Sequence, residues 1–115
     1  MKIYLAGPMR GIKNFNIEAF AAAAIRLRLE GHEVFSPAEK GCEVEVMENP
    51  SLANSLEFRR RVFSLDVDYI CNHAEAIAML PGWRQSKGAQ AEHALADAIG
   101  IKIMYLGEEY GHAAE

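Results

Sequence analysis

The sequence predicts an α/β fold with a doubly wound, flavodoxin- or Rossmann-like parallel sheet of four or five strands and helices on both faces. Short runs of β-branched and aromatic residues alternate with longer segments whose apolar residues recur every three or four positions. Glycine and proline mark most boundaries between them. The order β-α-β-α-β-α-β implies right-handed crossovers, so any ligand is expected at the carboxyl ends of the strands.

Composition narrows the class of protein. The 115 residues are predicted to form one domain, 1–115, and 50% of them are apolar, which is enough for a buried core. A net charge of −4 argues against nucleic acid as a partner. Without a signal peptide or a run of about 20 apolar residues, a cytoplasmic protein without membrane contact is expected. The cysteines and histidines lack metal-ligand spacing, so no metal is predicted.

The first strand and first helix are predicted near the N-terminus. Residues 2–6, KIYLA, form a predicted buried strand that ends at Gly7-Pro8. The helix that follows has Asn16 as its predicted N-cap and ends near Gly31. Its apolar stripe consists of Ile17, Phe20, Ala24 and Leu27.

The middle of the chain is harder to interpret. Residues 33–36, EVFS, form a short second strand closed by Pro37. From Ala38 to Ser55 the periodicity fades, and acids, Gly41 and Pro50 indicate an excursion over the surface. It is interpreted either as a lid over a ligand or as a tolerated insertion.

The second helix is predicted over residues 56–72. Its apolar stripe contains Leu56, Phe63, Val67 and Ile70. Asp66 borders this stripe, whereas Asp68 has polar neighbours, so Asp66 is the better candidate for an inward-facing acid.

The third helix, residues 86–99, lies between predicted strands at 75–80 and 101–106. Glu92 heads its apolar stripe, one turn from Gly88 on one side and from Ala96 on the other. Glu92 is therefore predicted to face the sheet, partly desolvated, with a raised pKa. The alternative is an acid at the fringe of the stripe with its carboxylate in water.

Two loops are expected to meet at the carboxyl edge of the sheet. Arg10, the Ser86 hydroxyl and the N–H groups at the third helix start form a candidate cradle for one phosphate. Ser86 could equally be only a helix cap, and Gly7 and Gly11 could serve only the turn. Neither loop has the glycine spacing of an ATPase or a dinucleotide enzyme.

The candidate catalytic groups are two carboxylates, Glu92 and Asp66, and the Tyr4 hydroxyl at the end of the first strand. Such a set suits chemistry at the anomeric carbon of a sugar. One carboxylate attacks while a second acid manages the proton of the leaving group. For Tyr4 the alternative is a core ring with a satisfied hydroxyl.

Three segments together resemble the nucleoside 2-deoxyribosyltransferase-like superfamily, and in particular its DUF4406 family. They are YLAGPMRG at residues 4–11, DVDYI at 66–70 and LPGWRQSKGAQAE at 80–92. The resemblance implies that Glu92 is the nucleophile that takes the deoxyribosyl group covalently, and that Tyr4 orients it.

The same resemblance assigns the acid that assists at the base. Asp66 matches it best, but Asp68 competes because the segment before the third strand is one residue longer than the common pattern.

The resemblance also implies a phosphorylated ligand. Arg10, Ser86, Gly7, Gly11 and Gly88 resemble the phosphate-contacting positions of related 2'-deoxynucleoside 5'-monophosphate N-glycosidases. Ser86 stands where transferases acting on free nucleosides carry an acid, which favours a monophosphate.

Trp83 remains open between two interpretations. Its ring is predicted either to stack on the base of the ligand or to cover the pocket.

The predicted protein is an N-glycosidase, or a glycosyl transferase, acting on a (deoxy)nucleoside 5'-monophosphate without a cofactor. The alternatives are a 2-deoxyribosyltransferase on free nucleosides and a non-catalytic nucleotide-binding sensor. The resemblance implies a homodimer or larger homo-oligomer. Base, sugar and the choice between hydrolysis and transfer stay open.

Overall fold

Four parallel strands form a single sheet in the computed structural model, which describes residues 1–9 and 12–111. The strands are β1 (Lys2–Ala6), β2 (Glu33–Phe35), β3 (Ala76–Met79) and β4 (Lys102–Tyr105). Their spatial order is β2-β1-β3-β4, with every neighbouring pair parallel. This confirms the predicted class of a doubly wound α/β fold with a flavodoxin-like strand order.

Helices cover both faces of this sheet: α1 (Ile17–Leu29) lies on one face, and α3 (Leu56–Asn72) and α4 (Lys87–Ile99) lie on the other. A further helix, α2 (Cys42–Glu48), belongs to the connection between β2 and α3. The bounds of α3 are those predicted, and α4 begins directly after Ser86, its N-cap. Within the described residues, no helix is both long enough and apolar enough to cross a membrane.

The core has two layers, one on each face of the sheet. Ile3 and Leu5 of β1 pack with Phe20 and Leu27 of α1. The alternate residues of β1, which include Tyr4, point to the other face. That second layer also contains Ile70 of α3 and Ala89 and Ala96 of α4. The two-residue period of β1 therefore directs the Tyr4 ring toward the side covered by α3 and α4.

The start of α1 differs from its prediction. Asn16 does occupy the N-cap position, but its side chain makes no capping hydrogen bond. Its Nδ2 instead donates to the Pro8 carbonyl oxygen at 2.9 Å. The backbone at Asn14, Phe15 and Asn16 is left-handed, with φ of 52°, 55° and 60°. Asn16 is therefore the N-cap residue, as predicted, but it lacks the side-chain hydrogen bond of a helix cap.

The excursion at residues 38–55 is also more ordered than its sequence indicated. It contains α2, which lies between two short 3₁₀ turns, Pro37–Lys40 and Pro50–Asn54. Acidic and apolar residues nearly alternate in α2, so no helical stripe is visible in its sequence. Glu39 and Glu45 tie this segment to Arg28 and Arg61 through ion pairs at 2.7 and 3.0 Å.

Candidate functional site

A cavity of about 500 Å³ opens at the carboxyl edge of the sheet. The chain leaves β1 toward α1 on one face and leaves β3 toward α4 on the other, which creates a crevice between the two strands. The charged and hydroxyl-bearing side chains that line it are Tyr4, Arg59, Asp66, Ser86, Lys87 and Glu92. The cavity thus brings together residues that are far apart in sequence.

Glu92 is buried in the second turn of α4, with 6% of its surface exposed. The Tyr4 hydroxyl donates a hydrogen bond to its Oε2 at 2.5 Å. Burial raises the pKa of Glu92 to about 8; the Tyr4 hydrogen bond opposes this rise, the Asp66 charge adds to it, and Lys40 opposes it. The predicted inward orientation of Glu92 is confirmed.

Tyr4 is fully buried beneath the cavity. Its ring stacks on Phe35 with centroids 5.6 Å apart, and Phe35 stacks in turn on Tyr69 at 4.5 Å. Burial and the charges of Glu92 and Asp66 hold the pKa of Tyr4 well above its ordinary value. Tyr4 is consequently a neutral hydrogen-bond donor over the whole physiological pH range.

Asp66 is the inward-facing acid of α3. It is 6% exposed and forms an ion pair with Lys40. Burial raises its pKa, although the Lys40 hydrogen bond, the Lys40 charge and the nearby Tyr4 hydroxyl oppose the rise. Asp68 is exposed and accepts a hydrogen bond from Asn72 at 2.8 Å. Of the two competing aspartates, only Asp66 lines the cavity.

Lys40 is a site residue that the sequence reasoning missed. It ends the 3₁₀ turn after β2 and reaches Asp66 and the Val62 carbonyl oxygen, the latter at 3.3 Å. One signal was present in the sequence, because the segment after a parallel strand lies at the same edge as the other ligand loops. Tyr4, Lys40, Asp66 and Glu92 form what we term the acid cluster.

The start of α4 lines another part of the cavity. The Ser86 Oγ accepts a hydrogen bond from the Ala89 N–H at 3.2 Å, so Ser86 is a helix cap. The N–H groups of Lys87 and Gly88 belong to the first turn and have no intrahelical acceptor. A Cβ on Gly88 would meet the Phe63 Cε2 at 3.7 Å, an ordinary contact, so packing does not require glycine there.

Two cations, Arg59 and Lys87, line the cavity beside this helix start. In the described part of the chain neither forms an ion pair. Together with Ser86 and Gly88 they form what we term the basic end. Sequence reasoning gave Lys87 no role, and for Arg59 it favoured a solvated helix face over a site.

Gly7 lines the cavity where β1 ends. A Cβ there would lie 2.8 Å from the Leu80 Cβ, which is too close for any side chain. Close packing of the two loops therefore requires glycine at this position. Arg10 and Gly11, the other predicted residues of this loop, lie outside the described residues.

Trp83 does not line this cavity. Its ring stacks on His93, with centroids 4.3 Å apart and an interplanar angle of 17°. Together with Tyr105 it lines a separate cavity of about 330 Å³. The structure therefore does not bring Trp83 to the acid cluster, where it was expected to stack on a base or cover the pocket.

Fold and site together define a parallel α/β protein with a buried acid cluster in the crevice between β1 and β3. A family model described as a domain of unknown function, DUF4406, matches residues 1–105, and the chain belongs to this family. This confirms the family predicted from the sequence motifs. No curated protein matches the chain. The link to the nucleoside 2-deoxyribosyltransferase-like superfamily, the activity, the ligand and the homo-oligomer stay predictions.

Proposed function

We propose that the protein is an N-glycosidase, or a glycosyl transferase, that cleaves the N-glycosidic bond of a (deoxy)nucleoside 5'-monophosphate through Glu92. The observation that carries this proposal is the buried pair of carboxylates, Glu92 and Asp66, beside the Tyr4 hydroxyl in an open cavity. Burying two acids together is costly for a fold. Such an arrangement is typical of sites where one acid attacks and the other handles a proton.

The acid cluster suits this reaction when its two carboxyls share one proton. At neutral pH the proton resides on Glu92, since its pKa is about 8, while Asp66 pairs with Lys40. Transfer of that proton through Tyr4 to Asp66 leaves Glu92 as a carboxylate. Its oxygen then bonds to the anomeric carbon, the C–N bond breaks, and the base departs with the electron pair and the proton from Asp66. In the second step Asp66 takes a proton from water, or from an acceptor base, that displaces Glu92.

The basic end supports a phosphate on the substrate. Both α3 and α4 begin at the carboxyl edge, because α4 follows β3 and α3 runs back toward the start of β3. Asp66 follows Arg59 by seven residues, about 10 Å along a helix, and Glu92 follows Gly88 by four, about 6 Å. A sugar bound with its anomeric carbon at the acid cluster has room to direct its 5'-phosphate to the cations and free N–H groups.

Base release from ribo- and deoxyribonucleoside 5'-monophosphates, compared with their unphosphorylated forms, tests the proposal. Release confined to the monophosphates and reduced at least about 1,000-fold in Glu92→Gln is expected. Asp66→Asn should also lower the rate, by about 100-fold. Asp68→Asn is the matched control, since Asp68 lies on the same helix but is exposed.

The other outcomes separate the alternatives. Product that forms only with an added acceptor base identifies a transferase. Turnover of free nucleosides at the same rate as the monophosphates would show that the enzyme does not recognise the phosphate. Tight nucleotide binding with no base release, with or without an added acceptor base, contradicts the catalytic role and identifies a sensor.

A further inference from the structure

Lys40 is a nearly buried cation whose position is fixed by the surrounding protein. Its side chain is 14% exposed, and Nζ contacts both Asp66 and the Val62 carbonyl oxygen. Nζ also lies 5.9 Å from the centre of the Phe35 ring. An exposed lysine gains little from an ion pair, whereas a buried one strongly affects the charges around it.

The backbone conformation after β2 positions Lys40 near α3. Pro37 begins the 3₁₀ turn and Lys40 ends it, directly before Gly41. Gly41 has φ of +78°, and a Cβ there would meet nothing within 4 Å. Backbone conformation, not packing, therefore requires the glycine, which ends the turn that carries Lys40 toward α3.

Within the described residues, few hydrogen-bond donors lie near the two carboxyls. Tyr4 has a single hydroxyl proton, and it donates that proton to Glu92 at 2.5 Å. The negative charge of Asp66 is compensated by its ion pair with Lys40. The other charged side chains that line the cavity, Arg59 of α3 and Lys87 of α4, lie at the basic end.

We propose that Lys40 is a positioning residue that sets the charge of the acid cluster: it keeps Asp66 ionised and so leaves the Tyr4 proton for Glu92. Without Lys40, Asp66 would be a buried carboxylate with no counter-ion among the described residues. Either the cluster would take up a second proton or the Tyr4 hydroxyl would turn from Glu92 to Asp66.

The catalytic consequence rests on the proposed function. A cluster with two protons has no carboxylate available for attack on the anomeric carbon. Loss of the Lys40 charge therefore moves the acidic limb of the rate profile to higher pH, by about one pH unit.

The primary test does not depend on turnover. The carboxyls of Asp66 and Glu92 are followed by ¹³C NMR across pH in the full chain labelled at aspartate and glutamate. Asp66→Asn and Glu92→Gln assign the two signals. Lys40→Met removes the charge, Lys40→Arg keeps it, and Lys40→Gln keeps a neutral donor and replaces the methionine variant if that does not fold.

The expected result is that the Asp66 transition moves to higher pH by about one pH unit in Lys40→Met and Lys40→Gln. It stays near that of the unsubstituted protein in Lys40→Arg. An Asp66 transition that is unchanged in a folded variant without the lysine charge overturns the proposal. A shifted transition with no base release in any protein refutes the proposed function and leaves the role of Lys40 standing.

Discussion

Burial in the folded protein disfavours the ionised form of Glu92. Its pKa of about 8 lies above the ordinary 4.5 because it is buried. Between these two values the folded chain binds more protons than the unfolded chain. The Glu92 contribution to stability is therefore fully present below the ordinary pKa and is lost as pH rises toward 8.

Replacement of Glu92 by Gln should remove this pH dependence. At pH 8.5 the variant is expected to be more stable than the unsubstituted chain, on the order of 3 kcal/mol, with little difference at pH 4.5. Urea unfolding at both pH values measures it. Asp97→Asn, an exposed change on the same helix, is the control. Equal stability differences at the two pH values would contradict the burial argument.

The pH profile of base release follows from the same acid. If the acid cluster must hold one proton, kcat/KM falls as that proton is lost, about tenfold for each pH unit above about 8. Initial rates between pH 5 and 10 give the profile. A rate that continues to rise above pH 8 would show that Glu92 only needs to be ionised and that Asp66 donates no proton.

Tyr4→Phe isolates the hydroxyl, because the ring remains in its stack with Phe35. The variant is expected to lose about 1 kcal/mol of stability and base release by about 10- to 100-fold. Thermal unfolding and initial rates report the two effects. Tyr69→Phe is the matched control, since the buried Tyr69 hydroxyl has no hydrogen-bond partner in the described part of the chain. Its loss should leave stability equal or higher, and a fall in rate equal to that of Tyr4→Phe would contradict the assignment.

At the level of secondary-structure elements, the start of α4 combines the Ser86 helix cap with Gly88, which has no side chain and leaves space in the cavity. Alanine there would favour the helix by up to about 1 kcal/mol, and its methyl group has room against Phe63. The same methyl group would stand in the cavity beside the free N–H groups of the first turn.

Gly88→Ala should accordingly separate stability from binding. The melting temperature is expected to stay the same or rise, while affinity for a nucleoside monophosphate falls about tenfold, or about 1.4 kcal/mol. Calorimetric titration measures the affinity, and the corresponding unphosphorylated nucleoside is the control because it makes no use of the helix start. Unchanged monophosphate affinity would remove the first turn of α4 from the proposed phosphate site.

Elements with a long apolar stripe were predictable from the sequence. On α3 the predicted burial of Ile70 and inward orientation of Asp66 are confirmed, whereas Leu56 of the predicted stripe is exposed and Phe58 is buried instead. By contrast, α2 has no apolar stripe and was not predictable from the sequence. Tertiary contacts and local turns hold this helix in place. Asn16 illustrates a further limit, because its left-handed backbone, which asparagine tolerates better than most residues, directs its side chain to the loop before the helix.

The candidate site was predictable as far as strand order and helix faces determine it. The family resemblance implied the pairing of Tyr4 with Glu92, and the alternation of side chains along β1 and the inward face of α4 agree with it. Strand order places the segment after β2 at this edge, but it does not predict that Lys40 points inward, because that depends on a 3₁₀ turn. Trp83 lies outside the cavity because of the Gly82 backbone, with φ of +86°, and because its ring stacks on His93.

For the whole molecule, charge distribution matters more than net charge. The chain carries −4 overall, yet two cations without ion pairs in the described part line one cavity. A dianionic phosphate is attracted to that end, whereas the same cations offer nothing comparable to an uncharged nucleoside. Because the cavity is partly open, added salt should weaken this attraction.

Ligand-induced stabilisation tests this charge distribution without requiring turnover. A monophosphate at 100 times its Kd should add about 2.7 kcal/mol to the free energy of unfolding, or about 10 °C in Tm. Glu92→Gln prevents consumption of the ligand during the scan. Arg59→Ala and Lys87→Ala are each expected to weaken the shift, and Arg60→Ala, an exposed neighbour, is the control. Equal shifts with nucleoside and monophosphate, independent of salt, would mean that the basic end does not bind the phosphate.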